Sequence, residues 1–361
     1  MTWVRFALLL TCAVPLLLAQ DAAPDSAGIK DTHPLKITAV VDSFYSVDLD
    51  HSGSGVNQFH NFDLNQGMQL NAAEITLERD GPRFGLRLDT GYGEMFRIMN
   101  LPDPWGGPNR YVSQAYFTYK PVRDSGLRLD VGKFYTSMGA EGPETYNNFN
   151  YSRSLLYVLG EPYYHFGFRA LIAVTKSFTF GAQLVNGCND VRDNNSGKTV
   201  VLTSSLSRKR WGWSQTYMVG PEKPGTNAGP RNSYDSVLTL TPANWAAAYV
   251  EALWARERGI SVNRWSGLAA AVKFSPAKKW SFSPRLERFN DSTGFNTGTP
   301  QHLMEATATV EYQAAKVLVA RWEFRRDWSD QATFDRGSVP HASKNQTTFL
   351  LGLTYIFKIE R

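Results

Sequence analysis

The sequence predicts an all-β fold, a closed antiparallel transmembrane β-barrel, and three observations support this prediction. Segments of about ten residues alternate apolar and polar side chains along most of the chain. Tight turns and longer polar loops alternate between these segments, and an apolar export signal precedes them. In one typical segment Phe84, Leu86 and Leu88 lie on one face, and Arg87 and Asp89 lie on the other.

The chain begins with a segment that is typical of a secretory signal peptide. Arg5 precedes a continuous apolar stretch that ends at the small residue Ala19, so residues 1–19 are predicted to be removed after export. Residues 20–34 are polar and predict a flexible periplasmic leader. Residues 35–361 are predicted to form a single transmembrane β-barrel domain, because an open sheet edge in lipid would leave backbone groups unpaired.

The alternating pattern predicts about 16 strands, with about 14 or 18 as the alternatives that boundary errors allow. Turn sequences such as Asp80-Gly81-Pro82 close tight hairpins. The connections at the opposite end are polar and hold about six residues or more, which predicts short periplasmic turns and long extracellular loops. The predicted strands are residues 35–47, 69–79, 83–93, 111–120, 127–134, 164–174, 178–186, 198–207, 211–219, 232–240, 245–256, 263–274, 280–289, 303–312, 316–327 and 347–357.

Composition and motifs argue against several other classes of protein. Beyond the signal peptide, no stretch reaches the roughly 20 apolar residues that a membrane-spanning helix requires. A net charge of +5 without a Lys/Arg stripe predicts no nucleic-acid partner. The six histidines are dispersed and no G-x-S-x-G elbow occurs, so we predict no catalytic, cofactor-binding or metal residues, no cofactor, and no enzymatic activity.

One loop concentrates oxygen ligands of the kind that bind a hard cation such as Ca²⁺. It holds Asp190, Asp193, Asn194 and Asn195, but their spacing matches no EF-hand, so a solvated loop is the preferred interpretation. Nearby, Cys188 is the one cysteine left once the signal peptide is removed, which predicts no intramolecular disulfide.

Several short strings resemble those of the outer-membrane β-barrel porin family of Gram-negative-type bacteria, and together they span nearly all of the mature chain. The resemblance implies an outer-membrane location and a pore, without a substrate or residue roles. In one departure, Phe357 is followed by residues 358–361, whereas such barrels usually end on an aromatic residue that the insertion machinery reads. The strings are Gly132-Lys133-Phe134, Glu141-Gly142-Pro143-Glu144, Asn150-Tyr151-Ser152-Arg153-Ser154, Glu161-Pro162, His165-Phe166-Gly167, Val185-Asn186-Gly187, Pro284-Arg285-Leu286-Glu287-Arg288-Phe289-Asn290-Asp291 and Arg321-Trp322-Glu323-Phe324-Arg325-Arg326-Asp327.

The charged face of the strands is predicted to line the lumen, because Arg or Lys facing lipid near the midplane costs roughly 2–4 kcal/mol. One interpretation is a field across a hydrated channel that sets selectivity, and the other is a wall stiffened by charge pairs. The two are compatible, since a paired wall still faces water. The pore-lining candidates are Arg87, Asp89, Arg128, Asp130, Arg169, Arg285, Glu287, Arg321, Glu323, Arg325 and Asp327.

The connection after the fifth strand, residues 135–163, is longer than a surface loop ordinarily needs. We predict that it folds inward and narrows the lumen, with Glu141, Glu144 and Arg153 as the candidate constriction residues. The alternative is a loop that shields the barrel mouth.

These observations predict a porin-like channel in the bacterial outer membrane that allows passive diffusion of small hydrophilic solutes through a charged lumen. Its expected partners are outer-membrane lipid and those solutes, and a homo-oligomer is possible. The main alternative is a structural or adhesive barrel whose extracellular loops bind a ligand while the lumen is closed. A soluble exported β protein is the third hypothesis.

Overall fold

The computed structural model describes residues 33–101, 107–122 and 125–360. The predicted signal peptide, residues 1–19, and the predicted leader up to residue 32 lie outside the described residues. From Pro34 onwards the chain forms one compact unit.

Strands dominate the described chain, and the few helical segments are short: α1 (Glu94–Met99), two 3₁₀ turns (Gly107–Tyr111 and Thr145–Asn147) and one π-helical turn (Leu156–Gly160). Within the described ranges no helix has the length and apolar character needed to cross a membrane. The strands are β1 (Lys36–Asp48), β2 (Gly67–Asp80), β3 (Phe84–Tyr92), β4 (Val112–Tyr119), β5 (Leu127–Tyr135), β6 (Tyr164–Thr175), β7 (Phe178–Val185), β8 (Thr199–Ser207), β9 (Trp211–Gly220), β10 (Arg231–Ala243), β11 (Ala246–Arg258), β12 (Val262–Ala277), β13 (Trp280–Asp291), β14 (Gln301–Ala315), β15 (Leu318–Ser329), β16 (Phe334–Arg336), β17 (Val339–Ser343) and β18 (Asn345–Glu360).

Sixteen strands close into one antiparallel barrel, which confirms the predicted fold class and strand number. Each barrel strand pairs with the barrel strands before and after it in the chain, so β15 pairs with β18, and β1 pairs with both β2 and β18 to close the ring. The closing register runs from Lys36 opposite Glu360 to Asp48 opposite Thr348. Closure satisfies the backbone groups of both terminal strands, as a sheet in lipid requires.

The last strand continues beyond the predicted boundary at Phe357. Lys358 lies opposite Thr38 and Glu360 lies opposite Lys36, so the residues that follow the aromatic position belong to the closing strand pair. A separate hairpin of β16 and β17, which the alternating pattern did not predict, lies in the loop between β15 and β18.

Short turns predominate at one end of the barrel and longer loops at the other. Residues 259–261 alone connect β11 to β12 at the long-loop end, so the expectation of about six residues or more is wrong there. The reason is that both strands extend further than predicted and Arg258 still pairs with Val262.

The outer surface of the barrel is apolar, as the alternation of side chains requires. Near the short-turn end it carries grouped aromatic rings: the ring centroid of Trp280 lies 4.5 Å from that of Tyr312 and 6.4 Å from that of Trp322. Trp245 stacks on Phe274 in the same zone. Such groups are typical of the aromatic girdle at a membrane interface.

Candidate functional site in the barrel lumen

The β5–β6 loop, residues 136–163, lies inside the barrel and reaches strands remote from its own ends. The backbone N–H groups of Tyr151 and Ser152 donate hydrogen bonds to the two carboxylate oxygens of Glu323 on β15, at 2.6 and 2.9 Å. At its beginning, the Ser137 carbonyl accepts a hydrogen bond of 2.8 Å from the Thr216 hydroxyl on β9. The loop therefore crosses the interior.

Arg285 on β13 is the most heavily bonded anchor of the β5–β6 loop. Its guanidinium donates to Glu141 Oε1 at 2.7 Å and to the Ser152 carbonyl at 2.8 Å, both in the loop. The same group lies 2.9 Å from a carboxylate oxygen of Glu287 and 2.9 Å from one of Glu305 on the wall. Arg285 is 1% exposed, so these partners offset the cost of burying its charge.

Two further arginines of the wall bind backbone carbonyls of the loop. Arg321 donates to the Thr145 carbonyl at 2.5 Å, and Arg325 donates to the Arg153 carbonyl at 2.7 Å. The β5–β6 loop has little regular secondary structure, so its buried carbonyls require donors from elsewhere. The forked guanidinium supplies them while it also binds a carboxylate, Glu311 for Arg321 and Asp327 for Arg325.

Asp42 lies on β1, which closes the barrel with β18, and it also holds the β5–β6 loop. Its carboxylate accepts hydrogen bonds from the Tyr151 hydroxyl at 3.0 Å and the Thr145 hydroxyl at 2.8 Å. Asn71 and Thr354 on the neighbouring strands donate to the same carboxylate at 2.6 and 2.9 Å. A buried carboxylate with four donors is a strong anchor.

The inward face of the barrel is not polar all the way round. On one side the wall packs apolar side chains against Met138, Leu155 and Leu156 of the β5–β6 loop. These wall residues meet protein rather than water, so apolar side chains are favoured there. They include Val201, Met218, Val237, Leu253, Trp265 and Ala269.

The charged candidates in the first strands form a separate group. Arg128 and Arg169 both bind Asp130, at 2.8 Å each, and the second hydrogen-bond partner of Arg128 is Thr118 on the wall. Arg87 binds Asp89 at 3.0 Å. The Arg87 and Arg128 side chains are 25% and 33% exposed, unlike the fully buried arginines of β13 and β15.

The remaining wall candidates bind the loop or one another. Glu287 pairs with Arg285 and accepts a 3.3 Å hydrogen bond from the Leu156 N–H, and Asp327 pairs with Arg325. Asp327 also lies 3.2 Å from His60 Nε2, which joins it to the β1–β2 loop.

The three loop candidates have different surroundings. Glu141 binds Arg285, as described above. Glu144 lies within a carboxylate group with Glu74 and Asp89, where burial raises the pKa of Glu144. Arg153 donates to the carbonyls of Tyr151 and Pro143 within its own loop, so it supports the fold of the loop rather than a contact with wall charges.

Two groups of buried carboxylates could hold a metal ion: Glu74 with Asp89 and Glu144, and Glu161 with Asp235 and Glu251. Glu161 belongs to one of the strings that carry the family resemblance, but neither Glu161 nor Asp235 was predicted as a site residue. The alternation of buried Ser233, Asp235 and Val237 along β10 placed Asp235 inward, but nothing in the sequence indicated that Glu161 meets it.

The acidic loop at residues 190–195 differs from both carboxylate groups. Asp190 accepts a hydrogen bond from Asn194 at 2.6 Å, and Asp193 pairs with Lys198. These carboxylates are bound by groups of the protein itself.

A closed barrel with an apolar exterior, an aromatic girdle and a charged interior crossed by a loop defines a porin-like protein of the outer membrane. The chain belongs to the family described as "Putative beta-barrel porin-2, OmpL-like", whose model matches residues 34–357. This confirms the resemblance found in the sequence and the outer-membrane location. No curated protein matches the sequence.

Solved structures of outer-membrane proteins share the fold. OmpT of Vibrio cholerae in its trimer form has 12% identity and a TM-score of 0.59, over 91% of this chain and 100% of that chain. The channel DcaP of Acinetobacter baumannii has 10% identity and a TM-score of 0.62, over 90% and 97%. The anion-selective porin from Comamonas acidovorans has 8% identity and a TM-score of 0.61, over 90% and 100%. At these identities the likeness concerns the fold alone.

Proposed function

We propose that this outer-membrane protein is a porin-like channel for passive diffusion of small hydrophilic solutes, and that the β5–β6 loop narrows its lumen. The observation that carries the proposal is the crossing of the interior by this loop, held by Arg285, Arg321, Glu323 and Arg325 on the wall. A barrel of 16 strands encloses more space than side chains of its wall alone can fill. A fixed loop would reduce that space to a defined aperture.

The partly exposed charges of the first strands support a hydrated passage along that side of the lumen. Arg87, Arg128 and Arg169 keep part of their surface in contact with water while they pair with Asp89 and Asp130. The opposite side is filled by apolar packing against the loop. The solute path in the proposal therefore follows the inner face of β3 to β6.

Conductance in a planar bilayer tests the proposal. Wild-type protein should give stepwise current, and the reversal potential in a salt gradient should report its selectivity. Glu141→Gln should change conductance because it removes the carboxylate with which the loop binds Arg285, and Glu144→Gln should change it because it removes a second carboxylate of the same loop. Asp335→Asn, in the hairpin of β16 and β17, is the control. Unchanged conductance and selectivity in both loop variants would overturn the role of the β5–β6 loop.

The second candidate function is a structural or adhesive barrel with a closed lumen. The dense packing of Met138, Leu155 and Leu156 against the wall favours it, because such packing excludes water from that side. In this case a folded barrel would give no current, and deletion of an extracellular loop would abolish attachment without changing permeability.

Association into a homo-oligomer is part of the proposal and rests on the outer surface. An apolar groove with a volume of about 800 Å³ lies on the outer surface over β3 to β8. Phe84, Phe117, Tyr119 and Phe168 are among the residues that line it. The structurally similar OmpT is described in a trimer form. The mass of the protein–detergent complex, measured by light scattering, distinguishes one barrel from several.

A further inference from the structure

Three carboxylates meet where the end of the β5–β6 loop reaches the wall. Glu161 belongs to the loop, Asp235 to β10 and Glu251 to β11. One oxygen from each lies within 4.8 Å of the others. Val237 pairs with Glu251, so Asp235 and Glu251 are diagonal neighbours on the inward face of the two strands.

The oxygens of this cluster are largely without partners. Glu161 is 8% exposed and neither of its carboxylate oxygens has a hydrogen-bond donor. Asp235 and Glu251 each use one oxygen to accept a backbone N–H, from Gly139 at 3.1 Å and from Ala140 at 2.9 Å. The second oxygen of each has no donor. Four buried acceptor oxygens thus remain unsatisfied, which native proteins avoid.

In the described part of the chain the cluster also has no ion pair of its own, and Arg285 acts on Glu251 only at a distance. Among the described residues none of the three carboxylates forms an ion pair, and the guanidinium of Arg285 is engaged by Glu141, Glu287 and Glu305. Like charges in one buried site require either protons or a cation.

The backbone around the cluster is shaped to leave room for these oxygens. Gly139 has a φ of +85°, and a Cβ at this position would collide with the Glu161 carboxylate. The N–H groups of Gly139 and Ala140 fix the two strand carboxylates. A cavity of about 250 Å³ lies beside the Glu161 residue. The other carboxylate group lacks these features, because Arg87 and Gln114 already bind Asp89.

We infer that Glu161, Asp235 and Glu251 form a binding site for a hard divalent cation, with Ca²⁺ as the best fit. Carboxylate oxygens are the preferred ligands of such ions, and Ca–O distances of roughly 2.3–2.6 Å allow ligand oxygens nearly 5 Å apart around one ion. Mg²⁺, with distances of about 2.0–2.1 Å, requires a tighter set. The ion joins the loop to β10 and β11, and the inference holds whether the pore is open or closed.

Calorimetric titration of Ca²⁺ into chelator-treated, folded full-length protein in detergent tests the site. We expect one Ca²⁺ per barrel, with weaker binding of Mg²⁺. Glu161→Gln should weaken Ca²⁺ binding by at least about tenfold, because it removes one charged ligand. Glu257→Gln is the matched control: this carboxylate is buried on β11 but has Arg231 as its partner, so Ca²⁺ binding should stay unchanged.

Heat-modifiable migration on a gel verifies that each variant is folded, and Asp235→Asn replaces Glu161→Gln if the latter fails to fold. Absence of binding to the wild type up to about 1 mM Ca²⁺ would overturn the inference, since the weakest protein sites lie in this range. Equal affinity in the wild type and in a folded ligand variant would also overturn it. Conductance is not part of this measurement, so its result is independent of the proposed channel activity.

Discussion

At the scale of single residues, arginines organise the polar interior. Arg285, Arg321 and Arg325 each bind a carboxylate of the wall and a backbone carbonyl of the β5–β6 loop. A planar guanidinium has five donors in a fixed arrangement, so it can bridge two partners that a single lysine ammonium would serve less well. The spacing of Arg321 and Arg325 along β15 explains why both meet the same loop.

Replacement of Arg285 by alanine should loosen the loop and destabilise the barrel. The change leaves Glu141, Glu287 and Glu305 buried without their cation, and such losses cost about 3–5 kcal/mol. We expect larger or noisier single-channel conductance and a lower midpoint in guanidinium unfolding. Arg336→Ala is the control, because the Arg336 side chain is 55% exposed and pairs with Asp50 in the β1–β2 loop. Equal conductance and equal unfolding midpoints in both variants would contradict the role of Arg285 as an anchor of the loop.

His60 in the β1–β2 loop predicts a dependence of stability on pH. Burial and Arg325 lower the pKa of His60, but Asp63 and Asp327 outweigh them, so the net shift is upward. The His60 ring nitrogens lie 2.6 Å from Asp63 and 3.2 Å from Asp327. A group whose pKa is raised on folding stabilises the folded state when it is protonated, which is the case at low pH. This contribution to the unfolding free energy is lost as pH rises through the pKa of the folded state.

The unfolding free energy of the wild type should therefore fall more than that of His60→Gln between about pH 6 and pH 9. Tryptophan fluorescence in guanidinium, measured at several pH values, provides these free energies. His302→Gln, an exposed position on β14, should keep the dependence of the wild type. If the unfolding free energies of the wild type and His60→Gln change in parallel with pH, His60 does not pair with Asp63 and Asp327 as described.

At the scale of elements, the strands were predictable and the course of the long loop was only partly so. A strand with one face toward lipid has a period of two that is visible in the local sequence, and Arg285 and Glu287 on one inward face follow from it. The contact between Tyr151 and Glu323 joins residues far apart in the chain, and no local pattern encodes it. The same holds for Glu161 and Asp235.

Gly352 on β18 offers a test of how tightly the loop packs. A Cβ at Gly352 would collide with the ring of Tyr151, whose hydroxyl binds Asp42. Gly352→Ala should displace the Tyr151 ring and cost about 1–3 kcal/mol through overpacking. Gly142→Ala in the same loop is the control, because its nearest neighbour, the Glu144 carboxylate, would be in ordinary contact at 3.6 Å. If both variants match the wild type in unfolding and conductance, the loop is not packed as described.

At the scale of the whole molecule, the closure of the barrel and the loop in its interior together determine the architecture. The antiparallel order of 16 strands followed from counting turns and loops in the sequence, because a barrel in lipid tolerates no open edge. The sequence pattern did not predict the apolar packing on one side of the lumen. An apolar residue that faces inward cannot be distinguished from one that faces lipid until its partner in the loop is known. The proposed aperture therefore depends on contacts between the loop and the wall that no local sequence pattern shows.

Liposome swelling tests whether the protein is a solute channel narrowed by the β5–β6 loop. Wild-type protein should admit small neutral sugars at rates that fall steeply with their size and do not saturate. A variant with residues 140–158 replaced by a short Gly/Ser linker should admit larger sugars, because the loop no longer occupies the lumen. If folded wild-type barrels swell liposomes no faster than protein-free controls, the protein is not an open solute channel.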